Sequence, residues 1–256
     1  MPKIPPCKPE NRLKAMLLQH LLQSKNTSAD IAIINEFTLD FYSSRADIAL
    51  VKENGIEIFE IKSEADKLTR LPHQIDALHK FCDKLHVVVA PCHLEKTLEL
   101  AREDTAIWEI DSFGVVKKIR RGKKVMLRDK QKLVRLVNLE ELQKILRWNG
   151  FRASGYNRER AEEAAQAIGV QKLRDGIMLL LRERYTQTTK KFLNTVRYRR
   201  EVKPDSLASL RRWRTTEKMG KLPMSDDPFL QKIAIESTGS LFGKIPEDIE
   251  FLGAKI

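Results

Sequence analysis

Residues 45–62 read Arg45-Ala46-Asp47-Ile48-Ala49-Leu50-Val51-Lys52-Glu53-Asn54-Gly55-Ile56-Glu57-Ile58-Phe59-Glu60-Ile61-Lys62. Two apolar runs, 46–51 and 56–61, flank Lys52-Glu53-Asn54-Gly55. Asn-Gly between strand-like runs is a strong hairpin signal, because both residues tolerate positive φ. Directly opposed residues of an antiparallel pair project from one face. A four-residue loop, 52–55, sets Val51 opposite Ile56 and Asp47 opposite Glu60. A shorter loop at Glu53-Asn54 keeps that pairing, whereas one at Asn54-Gly55 shifts it and brings Asp47 opposite Lys62. These even-length loops keep Asp47 on the face shared by Glu60 and Lys62, which are two apart on one strand.

Outward from this hairpin, residues 10–23 read as an amphipathic helix, with Leu13, Leu17 and Leu21 at i, i+4, i+8 and Met16 beside them. Residues 31–37 have strand character. After the hairpin, Leu68, Leu71, Ile75, Leu78 and Cys82 step by three and four, one buried helical stripe; Ser63 and Asp66, or Thr69 with Pro72, can start that helix. Residues 85–90 form an uninterrupted apolar run ended by Pro91, as expected of a strand covered on both faces. A helix over 94–102 and a strand over 106–110 complete a βαβ pattern. The order implies an α/β layer architecture with a mixed sheet flanked by helices. Residues 112–137 read as a basic hairpin or loop around Arg121-Gly122. Helical patterns follow over 139–148, 158–168, 173–185 and 206–219, so a boundary is expected at 137/138, between a core (1–137) and a basic helical region (138–256).

The formal net charge of +12 is unevenly spread. Residues 1–111 carry a net −4, residues 112–137 a net +9 and residues 151–222 a net +10. Two basic blocks beside an acidic core point to a polyanionic partner, since Lys and Arg that neutralise phosphates release condensed counterions. No apolar run approaches membrane-spanning length and the N-terminus lacks a secretory signal. Cys7, Cys82 and Cys92 are odd and scattered, pointing to a reducing, cytoplasmic setting. His73, His79, Cys82, His86, Cys92 and His93 lack the paired spacing of a zinc site.

Two carboxylates and an ammonium at the end of an apolar strand pair are costly: like charges ~4 Å apart repel by about 4 kcal/mol at an effective dielectric of 20. A hard divalent cation, Mg²⁺ or Mn²⁺, turns that repulsion into binding, with Asp47 and Glu60 as ligands. Lys62 then orients water or stabilises charge on a phosphorane. The ordinary alternative is a cross-strand ion pair. Gln74, on the helical face of Leu71 and Leu78, either holds a metal-bound water or phosphate or satisfies a backbone group. Glu36 is a candidate third carboxylate, with Glu10 competing for that place. Arg45 and Arg70 are candidates for phosphate contact or counter-ions to Asp47 or Asp66.

Asp47 with Glu60-Ile61-Lys62, and Glu36 before them, resembles the PD-(D/E)xK phosphodiesterase superfamily of restriction-endonuclease-like nucleases. Arg45-Ala46-Asp47, Glu60-Ile61-Lys62-Ser63, Asp66, Arg70-Leu71 and Gln74 together look like a bacterial branch of it. The resemblance covers about residues 10–110. It departs from the pattern in lacking Pro before Asp47 and in carrying Leu78 where related nucleases often have Tyr. It implies a restriction-endonuclease-like core and metal-dependent hydrolysis of DNA, with Glu36, Asp47, Glu60, Lys62 and Gln74 as the catalytic set.

In the basic region, Arg197, Arg199 and Arg200 around Tyr198, and Arg211, Arg212 and Arg214 around Trp213, mix cations with an aromatic ring, which suits phosphate contact and base stacking. The competing reading is an amphipathic helix with snorkelling arginines. A non-catalytic nucleic-acid-binding protein, or a regulatory interaction protein on the same scaffold, is the alternative function. Homo-oligomerisation is compatible with the sequence and leaves no mark in it.

Overall fold

The structure is a computed structural model that describes residues 8–24, 31–40 and 44–211. Helix α1 (Pro9–Gln23) precedes three antiparallel strands, β1 (Ala32–Leu39), β2 (Ser44–Lys52) and β3 (Gly55–Lys62). Helix α2 (Leu71–His79) carries the chain to β4 (Lys84–Val89), parallel to β3, and α3 (Leu94–Leu100) carries it to β5 (Ala106–Ile110), parallel to β4. Strand β6 (Val116–Arg120) returns antiparallel, completing a six-stranded mixed sheet in the order β1-β2-β3-β4-β5-β6. Helices α4 (Lys130–Val134), α5 (Leu139–Trp148), α6 (Arg158–Ala165) and α7 (Val170–Arg199) follow. The fold is α/β, a mixed sheet flanked by helices.

The hairpin has the register expected of the longer loop, Val51 opposite Ile56, plus one further pair, Lys52 opposite Gly55. The turn is therefore Glu53-Asn54, and the register continues to place Asp47 across from Glu60. Asn54 does not adopt positive φ. Gly55 does, at 148°, for a different reason: a Cβ there would lie 2.2 Å from Asp83 Oδ2 and 2.8 Å from Arg174 Nη2. That carboxylate accepts the Ile56 N–H at 2.7 Å and Arg174 Nη2 at 2.8 Å, so only glycine admits it. Arg121-Gly122 likewise does not turn a hairpin. The hairpin that forms there, β5 to β6, turns earlier, where Asp111 Oδ1 accepts the N–H groups of Phe113 (2.9 Å) and Val115 (3.0 Å). Ser63 and Asp66 form a turn of their own, and α2 starts at Leu71 with Pro72 in its first turn and no side-chain cap.

Alternation along the strands builds two cores. Ile34, Val51, Ile56, Ile58 and Val87 face α2 and the C-terminal helices, whereas Ile33, Ile48, Leu50, Phe59 and Ile61 face α1. Glu36, at φ 61°, breaks the alternation in β1 and returns Phe37 and Leu39 to the first core. The expected boundary at 137/138 is a change of element type and not a break in packing. Leu142, Ile145, Leu146, Leu173, Ile177 and Leu181 belong to the same core as Ile34 and Val51, and residues 8–211 fall in one compact unit. Helix α7 is longer than its 173–185 pattern: it has 30 residues, about 45 Å, and adds Phe192 to the second core. Its Thr189 hydroxyl takes the Ile33 N–H at 3.0 Å, shielding edge strand β1. A 3-10 segment at Pro204–Leu210 stands where the helix over 206–219 begins, and residues beyond 211 lie outside the described set. Among the described residues no helix is long and apolar enough to cross a membrane.

Candidate active site

The end of the sheet where β1, β2 and β3 lie side by side collects charge from both layers. Strand β2 supplies Asp47, β3 supplies Glu60 and Lys62, β1 supplies Glu36, α2 supplies Gln74 and α1 supplies Glu10 and Lys14. A cleft of about 760 Å³ is lined by Glu10, Asp47, Glu60, Lys62, Asp66 and Gln74, with Arg45, Arg70 and His73 among its other walls.

Glu60 is only 2% exposed. Its Oε1 accepts from Lys62 Nζ at 2.7 Å and from Gln74 Nε2 at 2.6 Å. Its Oε2 is buried without a hydrogen-bond partner. Burial, then the charge of Asp47, raise the Glu60 pKa to about 7, against the pull of Lys62. Asp47 Oδ2 accepts the Ile61 N–H at 2.8 Å, tying β2 to β3 beyond their last ladder pair, and its Oδ1 lies 3.0 Å from Lys14 Nζ.

Lys14 is the residue that pattern reading missed. Its side chain is fully buried, and its ammonium contacts Glu10 at 2.5 Å, Asp47 at 3.0 Å and Glu36 at hydrogen-bond contact. Burial works against its charge, but Asp47, Glu10 and Glu36 overcome it and raise its pKa above the usual lysine range. Glu10 is drawn down by the same ammonium, despite its own burial. Asp47 shares that cation with two other carboxylates and does not gain enough to offset burial, so its pKa is raised. The signal in the sequence was a cation i+4 from Glu10 on an otherwise apolar helix face, beside Leu13, Leu17 and Leu18.

Both candidates for a third carboxylate are therefore present. Oxygens of Glu10, Glu36 and Asp47 lie within 4.8 Å of one another. Glu60 stands outside that trio. Arg45 is 67% exposed and pairs with Glu36 Oε2 at 2.8 Å; Arg70 is exposed at the rim. Of the other basic candidates, those among the described residues do not line the cleft. Arg197, Arg200 and Arg211 are exposed elsewhere, Arg199 pairs with Asp205 at 2.8 Å, and Arg212 and Arg214 lie outside the described residues. His79 and Cys82 share no ligand cluster; His79 contacts Thr105 Oγ1 at 2.9 Å and Cys82 is buried in the first core.

Four carboxylates thus face two buried ammonium groups, with Arg45 at the solvent edge. The surplus negative charge and the hard oxygen ligands suit a divalent cation, with Glu60 Oε2 the oxygen that no group among the described residues satisfies.

A sequence family described as Bacteriophage P4 protein cII matches residues 6–211. Protein cII of Enterobacteria phage P4 is 27% identical over 205 residues, 78% of this chain and 77% of that protein. Among solved structures, the SPO1766 protein of unknown function from Silicibacter pomeroyi overlaps 59% of this chain and 97% of its own, at a TM-score of 0.38 and 16% identity, too loose a likeness to bear on the fold. The matched family span takes in every side chain of the cleft and both sides of position 137. The chain belongs to the bacteriophage P4 protein cII family.

Proposed function

We propose that this member of the P4 protein cII family is a Mg²⁺- or Mn²⁺-dependent phosphodiesterase that cuts DNA, built on the PD-(D/E)xK plan. The observation that carries the reading is Glu60 Oε2, a buried carboxylate oxygen with no hydrogen-bond partner among the described residues, on a residue that lines a cleft rich in negative charge. Asp47 and Glu60 would hold the metal. Bound there, a divalent ion polarises the scissile phosphate and lowers the pKa of a water ligand. Lys62 keeps its ammonium at the cleft floor through Glu60 Oε1, where it can orient the attacking water and meet charge developing on the phosphate. Gln74 fixes the Glu60 carboxylate from the helix side, leaving Oε2 directed away from both donors. Arg45 and Arg70 at the rim suit the phosphates on either side of the cut. On this reading the protein works in the cytoplasm, the setting its scattered cysteines point to.

One observation favours a second reading, a non-catalytic nucleic-acid-binding or regulatory interaction protein. Both Asp47 oxygens already have protein partners, Lys14 and the Ile61 N–H. The two readings part in one assay, incubation of single-stranded, duplex and branched DNA with the protein and Mg²⁺ or Mn²⁺. Hydrolysis that falls by about 100-fold or more in Asp47→Ala and Lys62→Ala is expected. Cutting that survives intact in both variants, or salt-sensitive binding without cutting, removes the enzyme assignment.

A further inference from the structure

We infer that Lys14 is a tethered cation that fills the Glu10–Glu36–Asp47 cluster and so limits the centre to a single divalent ion, seated against Glu60. The inference rests on the metal-dependent reading above and adds the stoichiometry of its cofactor.

An ammonium has three protons to donate. Those of Lys14 meet three carboxylates, one each from α1, β1 and β2, in a position with no solvent exposure. Three carboxylate oxygens within 4.8 Å of one another form the kind of cage a hard divalent ion takes, and the lysine is inside it. The other carboxylate of the cleft floor is held differently. Glu60 lies outside the trio, and its buried Oε2 has no donor from Lys14, Lys62, Gln74 or any other group among the described residues. Asp47 stands between the two, with Oδ1 on Lys14 and Oδ2 on the β3 backbone. The arrangement supplies the cation of the trio covalently, from α1, and leaves Glu60 Oε2 as the oxygen for a free ion. A lysine also costs more to bury than an apolar side chain on the Leu13–Leu17–Leu18 side of α1, and only the carboxylate cage offsets that cost.

The test is the number of Mn²⁺ ions bound per chain, measured by titration calorimetry with free Mn²⁺ followed by its paramagnetic resonance signal, on the full chain. Wild type should bind one. Lys14→Met, purified with Mn²⁺ present to offset the exposed carboxylates, should bind two, and Lys14→Met with Glu10→Gln should lose the gained site while keeping the first. Two ions in the wild type overturn the inference without any need for the variants, as does one ion in a folded Lys14→Met. Either result leaves the nuclease reading standing. No ion bound to the wild type at millimolar Mn²⁺ overturns the nuclease reading together with the inference.

Discussion

Glu60 shows how burial sets chemistry at a single residue. Its carboxyl has two donors on one oxygen and none on the other, and its pKa is raised to about 7. A raised acid pKa means the folded state binds more protons than the unfolded state between the ordinary value of 4.5 and about 7. Stability from this group is therefore fully present below about pH 4.5 and is lost as pH rises through 7. Asp47, also raised, acts in the same direction. The metal-free protein should lose on the order of 3 kcal/mol from Glu60 alone between pH 5 and pH 8. Thermal melts of the wild type should fall by several degrees over that range, and Glu60→Gln should flatten the trend; an unchanged slope in the variant would count against a neutral-preferring Glu60. At this scale Asp47, Glu60, Lys62 and Gln74 were legible, because a hairpin and one helix fix their mutual placement. Lys14 was legible only in its i+4 spacing from Glu10, since its other partners, Glu36 and Asp47, lie as many as 33 positions away and periodicity along α1 carries no information about them.

Between elements, the joint at Asp83 holds the hairpin turn, the segment after β6 and α7 together. Its carboxylate accepts from Ile56 N, from Leu127 N at 2.8 Å and from Arg174 Nη2 at 2.8 Å, with both charged side chains almost wholly buried. Breaking one member of a buried pair costs about 3–5 kcal/mol because the other charge is left alone. Gly55→Ala drives a Cβ into this joint and should cost on the order of 3 kcal/mol in urea unfolding. Gly150→Ala is the control: its φ of 85° is likewise one that side chains rarely adopt, but no atom lies within 4 Å of the added Cβ. It should cost about 1–2 kcal/mol. Equal costs at the two positions would show that conformation, and not the Asp83 contact, explains Gly55. The Asn-Gly signal thus placed the hairpin correctly while its glycine answers to a contact with residues 83 and 174, which lie beyond any local pattern. Glu36 is similar: its residue type was legible, but its positive φ is visible only once Lys14 and Arg45 are seen to hold its carboxylate.

Across the molecule, the mixed sheet flanked by helices followed from the apolar strand runs and the helical stripes between them, whereas β6 and the packing across 137/138 did not. The shift from strands to basic helices at that point is real in composition. The apolar faces of those helices nevertheless close the first core over β1, β2 and β3, and α7 runs on to the second core. Composition reports what faces solvent, whereas the boundary of a folding unit depends on what the buried faces meet. A fragment of residues 1–150 should therefore fail to show a cooperative unfolding transition, because Leu173, Ile177, Met178 and Leu181 are missing from its core. A cooperative melt of that fragment would restore the boundary to position 137. The same packing bears on the centre, since α7 braces the edge strand that presents Glu36.

Placement of the ion decides the account. Crystals soaked in manganese, with data collected for anomalous scattering, should show one peak in direct contact with Glu60 Oε2 and Asp47, with Lys14 still seated among Glu10, Glu36 and Asp47. A saturating soak that leaves no peak between Asp47 and Glu60 would contradict it.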